Sequence, residues 1–383
     1  MLSSHSSKRL FTGALIALLC AGFFMLNSPA MISLGSASSF SESCFSIMQI
    51  TDTQYISWLA PHLFYDQTSW IVNNSQDYNL KMVVHTGDLV DTPTHISEWE
   101  VANAALMTLY NNGIPYCWDA GNHDQLPPNS SANLWLGDPN TGWLGSQYPA
   151  FNQTVMRQKP YWVADIYDGK NTAVAFNYLN YRFLIVNLEF LANSSAVDWM
   201  QALIRGNPTA NVIVATHDYL NRTGGYGTRS TSNSGVLDYV WGNDFKAQLD
   251  QYPNVFMTLS GHIQSRTIGA YDQRVGNREE IFFNRQELNN RTGSASVRIY
   301  TFNITSMQVS VSTYALDTQT WLTDNFNKFS FPINLQVYSP STDLGGLAEA
   351  NSLIIIGVIA VATLVITFAV RRRRTRPRGG EHE

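Results

Sequence analysis

Apolar and polar positions along this chain alternate between short strand-like runs and longer helical stretches. Ser46–Ile50, Leu80–His85, Ile114–Trp118, Asn211–Ala215 and Val255–Leu259 are compact apolar runs that read as buried strands. Between them, Tyr65–Tyr78, Ser97–Asn111 and Ala196–Arg205 read as helices. A hairpin is expected for Asn171–Tyr178 and Tyr181–Leu188, joined at Leu179-Asn180. From Arg266 to about Val337 the chain alternates in a β fashion, most clearly in Val297–Phe302 and Met307–Thr313. Strand–helix alternation of this kind predicts an α/β fold with a largely parallel sheet and covering helices. The polar stretch from Gln125 to Pro160 has little periodicity and is long for a plain connection, so it predicts a lid or wall.

Both ends break this rhythm. Lys8 and Arg9 precede the apolar run Phe11–Leu26, and small residues follow, with cleavage points expected at Ser28-Pro29-Ala30 or Ser36-Ala37. Residues 1–37 therefore read as a signal peptide or an N-terminal signal anchor. Residues 350–370 carry no charge and are long enough to cross the hydrocarbon core as a transmembrane helix. The basic tail 371–383 follows directly and should stay in the cytoplasm, which places the body outside. Residues 338–349 read as a stalk, and 44–337 as the folded body of a single-pass cell-membrane protein.

Composition adds constraints. Of 383 residues, 44% are hydrophobic and 14% charged, which suits a globular body and argues against disorder. Setting aside Lys8, Arg9, six tail arginines, Glu381 and Glu383 from 24 basic and 29 acidic residues leaves 16 and 27, a body charge of −11. Such a surface repels nucleic acid, and no nucleic-acid partner is expected. Cys44 and Cys117 are compatible with a disulfide in an exported protein or with two free thiols, and spacing does not separate these readings. Seven Asn-x-Ser/Thr sequons, at Asn73, Asn129, Asn152, Asn193, Asn221, Asn290 and Asn303, permit glycosylation.

The chemistry lies in five motifs, each just after a strand-like run. They are Asp52-Thr53-Gln54, Gly87-Asp88-Leu89-Val90-Asp91, Gly121-Asn122-His123-Asp124, His217-Asp218 and Gly261-His262-Ile263-Gln264. Each is weak alone. Together, in loops at the carboxyl ends of strands, they supply carboxylate, amide and imidazole ligands for adjacent metal ions. His123 neighbours a ligand without being needed as one, which suits it to protonate a leaving alkoxide. Asp124 would orient His123 and keep it protonated, or cap a helix. Asp91 is expected to brace its loop, and His85 to pack behind the site.

The combination resembles the calcineurin-like metallophosphoesterases, in particular a subgroup whose first motif reads Asp-Thr-Gln. Gln67-Thr-Ser-Trp-Ile71, Val83–Asp91 and Arg298–Phe302 are similar to it as well. The resemblance implies a β-sandwich of two mixed sheets flanked by helices. It implies a dinuclear centre of two divalent ions, drawn from Mn, Zn, Fe, Mg or Ca, with Asp88 bridging. Asp52, Gln54 and Gln264 would serve the first ion, and Asn122, His217 and His262 the second. The family usually has His at Gln264 and commonly at Gln54, so oxygen ligands make the first position hard, favouring Mn, Mg or Ca. The implied activity is phosphomonoester or phosphodiester hydrolysis by metal-bound hydroxide, acting on a phosphorylated small molecule or a phosphodiester. The rival expectation is a catalytically impaired surface binding module on the same scaffold.

Overall fold

The computed structural model describes residues 42–126, 142–227, 240 and 242–339. The expected signal segment, transmembrane helix and basic tail lie outside these residues, as do most of the stalk and much of the expected lid. No helix among the described residues is long and apolar enough to cross a membrane.

The strands are β1 (Cys44–Ile50), β2 (Leu80–Thr86), β3 (Tyr116–Asp119), β4 (Trp162–Ile166), β5 (Asn171–Tyr178), β6 (Tyr181–Leu188) and β7 (Asn211–Thr216). They continue as β8 (Val255–Ser260), β9 (Ala270–Val275), β10 (Arg278–Phe283), β11 (Ser296–Asn303), β12 (Gln308–Ala315), β13 (Thr320–Leu322) and β14 (Phe329–Pro332). They form two seven-stranded sheets rather than one. The first runs β13-β12-β11-β1-β2-β3 with β14 against β12, and the second runs β4-β5-β6-β7-β8-β10-β9. Both are mixed: β1, β2 and β3 are parallel, as are β6, β7, β8 and β10, while the outer strands pair antiparallel.

Side-chain alternation explains the layering. Phe45 and Ile47 of β1, with Met82 and Val84 of β2, face Phe183, Ile185, Ile213, Met257 and Ile281 of the second sheet. The opposite faces of the first sheet (Met48, Ile50, Val83, Trp118) pack on helices Pro61–Asn74 and Ile96–Asn111 through Phe64, Ile71, Trp99 and Leu106. Leu184, Val186, Val212 and Val214 of the second sheet pack on helices Ser194–Gly206 and Gly242–Leu249 through Val197, Met200, Leu203 and Phe245. Strands buried on both faces read as continuous apolar runs, which is why the central ones stood out in the sequence.

Several elements depart from expectation. The first long helix begins at Pro61, four residues early, because proline suits a first helical turn. Strand β10, Arg-Glu-Glu-Ile-Phe-Phe, opens on three charged residues, yet it is buried at every position. Its charges are paired inside: Arg278 binds Asp250 and Glu280 at 2.7 and 2.9 Å, and Glu280 accepts from Tyr219 and Tyr226 at 2.7 and 2.8 Å. Cys44 and Cys117 are free thiols on strands separated by β2. Tyr338 and Ser339, read as the start of a stalk, still hydrogen-bond to the body through Asn180 and Thr209.

Register decides where chemistry can gather. Ile50 pairs with His85, Thr86 with Asp119, Leu188 with Thr216, Ala215 with Leu259 and Phe282 with Ser260. The carboxyl ends of these parallel strands therefore emerge together, and the loops that follow them meet at one end of the sandwich.

Candidate metal centre

Each motif loop leaves its strand through a constrained backbone. Asp52, Asp88 and His262 adopt φ of 50°, 56° and 68°, a left-handed conformation that costs an L-residue roughly 1–2 kcal/mol. That strain turns their side chains back over the strand ends. Glycines make room: a Cβ on Gly121 would collide with the backbone nitrogen and carboxylate of Asp88, and one on Gly261 with Asp52 and Thr51. The Gly-Asn-His-Asp and Gly-His sequences thus open on glycine because a carboxylate lies against them.

His217 sits at the middle. Its Nδ1 lies 2.8 Å from the Thr86 carbonyl, which can only accept, so that nitrogen carries the proton. The other nitrogen, Nε2, faces Asp88 Oδ1, Asn122 Oδ1 and His262 Nδ1, each 3.2 Å away. These groups offer a converging set of lone pairs, and a positive charge must satisfy them. Asp88, His217 and His262 place ligand atoms within 4.8 Å of one another. Two imidazoles, a carboxylate and an amide oxygen suit a divalent transition metal. The second nitrogen's hydrogen bond to a main-chain carbonyl is the orientation expected of a metal-bound histidine.

A second group lies on the other side of Asp88. Gln54 Nε2 donates to Asp88 Oδ2 at 2.9 Å and also to Gln286 Oε1. Asn284 Nδ2 and Gln286 Nε2 both donate to Asp52 Oδ1, at 3.0 and 3.1 Å. Asp52 Oδ2 accepts from Thr51 Oγ1 at 2.6 Å, and the His262 main chain donates to both its oxygens at 3.2 Å. Gln54 Oε1 is buried and without a hydrogen-bond partner. The orphaned oxygen, beside two buried carboxylates, fits a cation as well.

Electrostatics agree with that demand. Burial, reinforced by Asp88, pushes the Asp52 carboxyl up to about 7 against the opposing pull of His217, Thr51 and His262. Burial also tends to raise Asp88, but His217, His123 and His262 outweigh it and hold Asp88 well below the usual carboxylate range. Burial opposes a charge on His217, yet Asp88, Asp52 and the Thr86 carbonyl hold it well above the ordinary histidine value. The site asks for positive charge between its acids, and a proton on His217 is the smallest way to supply it.

His123 stands at the rim, partly exposed. Its main-chain NH donates to Asp88 Oδ1 at 3.0 Å, and its Nδ1 donates to the Asp91 carbonyl at 2.6 Å. Burial lowers its pKa, but Asp88, the Asp91 carbonyl and the Asp91 and Asp124 carboxylates raise it further. Asp124 helps keep His123 protonated through its charge, but its hydrogen bonds go elsewhere. Its oxygens accept from the backbone of Leu89, Val90 and Gly121 at 2.8, 3.2 and 2.8 Å, which ties the second and third motif loops together. His85 is buried behind Thr53, whose hydroxyl lies 2.9 Å from its Nε2, and burial and His217 push it down to about 3.

Gln264, expected as a ligand, is exposed; its carbonyl accepts from Arg222 at 2.8 Å. Its exposure sets it apart from the buried Asp52, Gln54 and Asp88. Asn284 and Gln286 stand beside Asp52 instead, in the loop after β10. The β alternation expected over 266–337 does not fix where β10 ends, and no motif surrounds Asn284 and Gln286, so the sequence does not mark them. Trp143 packs its loop down, against Trp99 and Phe151 at 5.6 and 5.9 Å, with its Nε1 on the Asp168 carbonyl at 2.8 Å.

The model of the calcineurin-like phosphoesterase family matches residues 45–266. The uncharacterized protein YvnB of Bacillus subtilis (strain 168) is 27% identical over 315 residues, 76% of this chain. This chain spans only 22% of that relative's length. Among solved structures, it is similar to purple acid phosphatase PPD1 from yellow lupin seeds, at 14% identity and a TM-score of 0.47, over 81% of this chain and 58% of that one. It is also similar to GAP50, the anchor in the inner membrane complex of Plasmodium, at 10% identity and a TM-score of 0.46, over 81% and 94% of the two chains.

Proposed function

Because the chain belongs to the calcineurin-like phosphoesterase family, we propose that it is an extracytoplasmic, membrane-anchored phosphoester hydrolase that works with two divalent metal ions. Asp52, Gln54 and Asp88 would hold one ion, and Asp88, Asn122, His217 and His262 the other. The supporting observation is His217: its one neutral-state proton is committed to Thr86, while Nε2 faces three ligand atoms at 3.2 Å. Bound divalent ions supply Lewis acidity, polarising phosphoryl oxygens and acidifying water.

The chain's own residues divide the remaining work. Asp88 reaches both groups, through Oδ1 to His217 and through Oδ2 to Gln54, and sets their separation. His123 gives Nδ1 to Asp91, so Nε2 is the nitrogen that hands a proton to the departing alkoxide. Its raised pKa keeps that proton in place near neutral pH. Phe190 packs against the rings of His262 and His217, tilted on the first and edge-on to the second, with centroids 4.9 and 5.9 Å apart. Residues 1–37 and the apolar 350–370 segment with its following arginines support export and a C-terminal anchor.

The test is hydrolysis of a chromogenic aryl phosphate and its diester analogue by full-length protein, stripped by chelation and resupplied with Mn, Zn, Mg or Ca. Recovery of turnover with a divalent ion is expected. Metal binding without turnover on either substrate would favour the binding-module alternative. Protease accessibility of the body in intact cells tests the topology.

A further inference from the structure

We infer that Gln286, together with Gln54, completes the first metal position with side-chain amide oxygens, and that Gln264 takes no part. This deepens the proposed function and rests on its two-metal reading. Four oxygen-bearing side chains converge there: Asp52, Asp88, Gln54 and Gln286, all buried. Among the described residues, the side-chain hydrogen bonds of Gln54 and Gln286 run to one another, to Asp88 and to Asp52.

Amide NH₂ groups point at the acids: Gln54 at Asp88, and Gln286 and Asn284 at Asp52. These donors stand in for positive charge. The oxygen of Gln54 is left with no hydrogen-bond partner, and the oxygen of Gln286 meets only the NH₂ of Gln54. A carboxamide's oxygen and nitrogen are nearly the same size, and its terminal torsion is broad and two-fold. A half-turn of either amide therefore exchanges donor for ligand with little repacking. Asn284 positions the pair, since its Oδ1 accepts from the Gln286 main chain at 2.9 Å while its Nδ2 holds Asp52.

The consequence is an unequal centre. One position has imidazole nitrogens and suits a transition metal, whereas the other is wholly oxygen and suits a hard ion such as manganese, magnesium or calcium. The asymmetry comes from the loop after β10, not from the Gly-His-Ile-Gln motif.

Manganese binding to the full chain, followed by the electron paramagnetic resonance of free Mn(II), separates the possibilities without reference to turnover. Wild type is expected to bind two ions. Gln286→Ala should weaken one of them by at least roughly tenfold, the scale on which even outer partners affect metal sites. Gln264→Ala should bind as wild type. Gln286→Glu, which keeps an oxygen in place, should retain both ions, and this variant decides the matter if the alanine variant fails to fold. Unchanged binding in Gln286→Ala, loss of an ion in Gln286→Glu, or weakened binding in Gln264→Ala overturns the inference. A wild type that binds one ion also overturns it, and one that binds none overturns the metal-dependent function itself.

Discussion

The Nδ1 of His123 lies 2.6 Å from the main-chain carbonyl oxygen of Asp91. A carbonyl cannot donate, so this contact fixes the imidazole with its proton on Nδ1 and aims Nε2 toward the open side of the site. Orientation therefore comes from the backbone of the second motif loop, while the neighbouring Asp124 carboxylate is spent on holding that loop to the third.

Replacing His123 with alanine should lower kcat by about 10²–10⁴-fold, the usual range for a general acid. Metal content, measured by elemental analysis after gel filtration, should not change. Asp91→Asn keeps the carbonyl that orients the ring and should cost far less, within about tenfold.

Asp124→Ala should act on stability before chemistry. It leaves three backbone NH groups without their acceptor in a fully buried place. A loss of about 3 kcal/mol or more follows from the cost of stranding such donors. Thermal melting checks this, and an unchanged Tm would show that the two loops hold together without the carboxylate.

Gly121→Ala should weaken metal binding and destabilise the fold together. The added methyl has no place to go except into the Asp88 backbone and carboxylate. Isothermal titration with Mn or Zn should show affinity reduced by about tenfold or more, on the scale of a disturbed metal shell.

Chelated protein should lose stability as pH rises from about 4 to 8. Asp52 and Asp124 have folded values of about 7, above their ordinary 3.8, so the folded state holds more protons across that window and stability falls with pH. His217 and His123, raised above 6.5, work in the same direction because their contribution is lost as pH passes their folded values. His85, pushed down to about 3, opposes them below pH 6.5. A divalent ion replaces the missing positive charge, so melting curves with Mn should flatten the trend. A chelated protein that grows more stable between pH 6.5 and 8 would contradict it.

Much of this protein was legible in its sequence, for a physical reason. Strands β1, β2, β7 and β8 are buried on both faces and so are written in continuous apolar residues. Their following loops carry Asp52, Asp88, His217 and His262, which the register then brings side by side. His123 was marked by standing next to Asn122. Motif and strand order sufficed because parallel neighbours deliver their carboxyl ends to the same edge.

Tertiary structure alone decided the rest. Strand β10 opens on Arg278-Glu279-Glu280 and is buried throughout, since Arg278 and Glu280 find partners in Asp250, Tyr219 and Tyr226 from other segments. Folding brings Asn284 and Gln286 to Asp52, more than two hundred residues distant, and leaves Gln264 exposed. Short-range pattern reports which segments must be buried; which polar groups accompany them inside depends on partners that only the folded chain assembles.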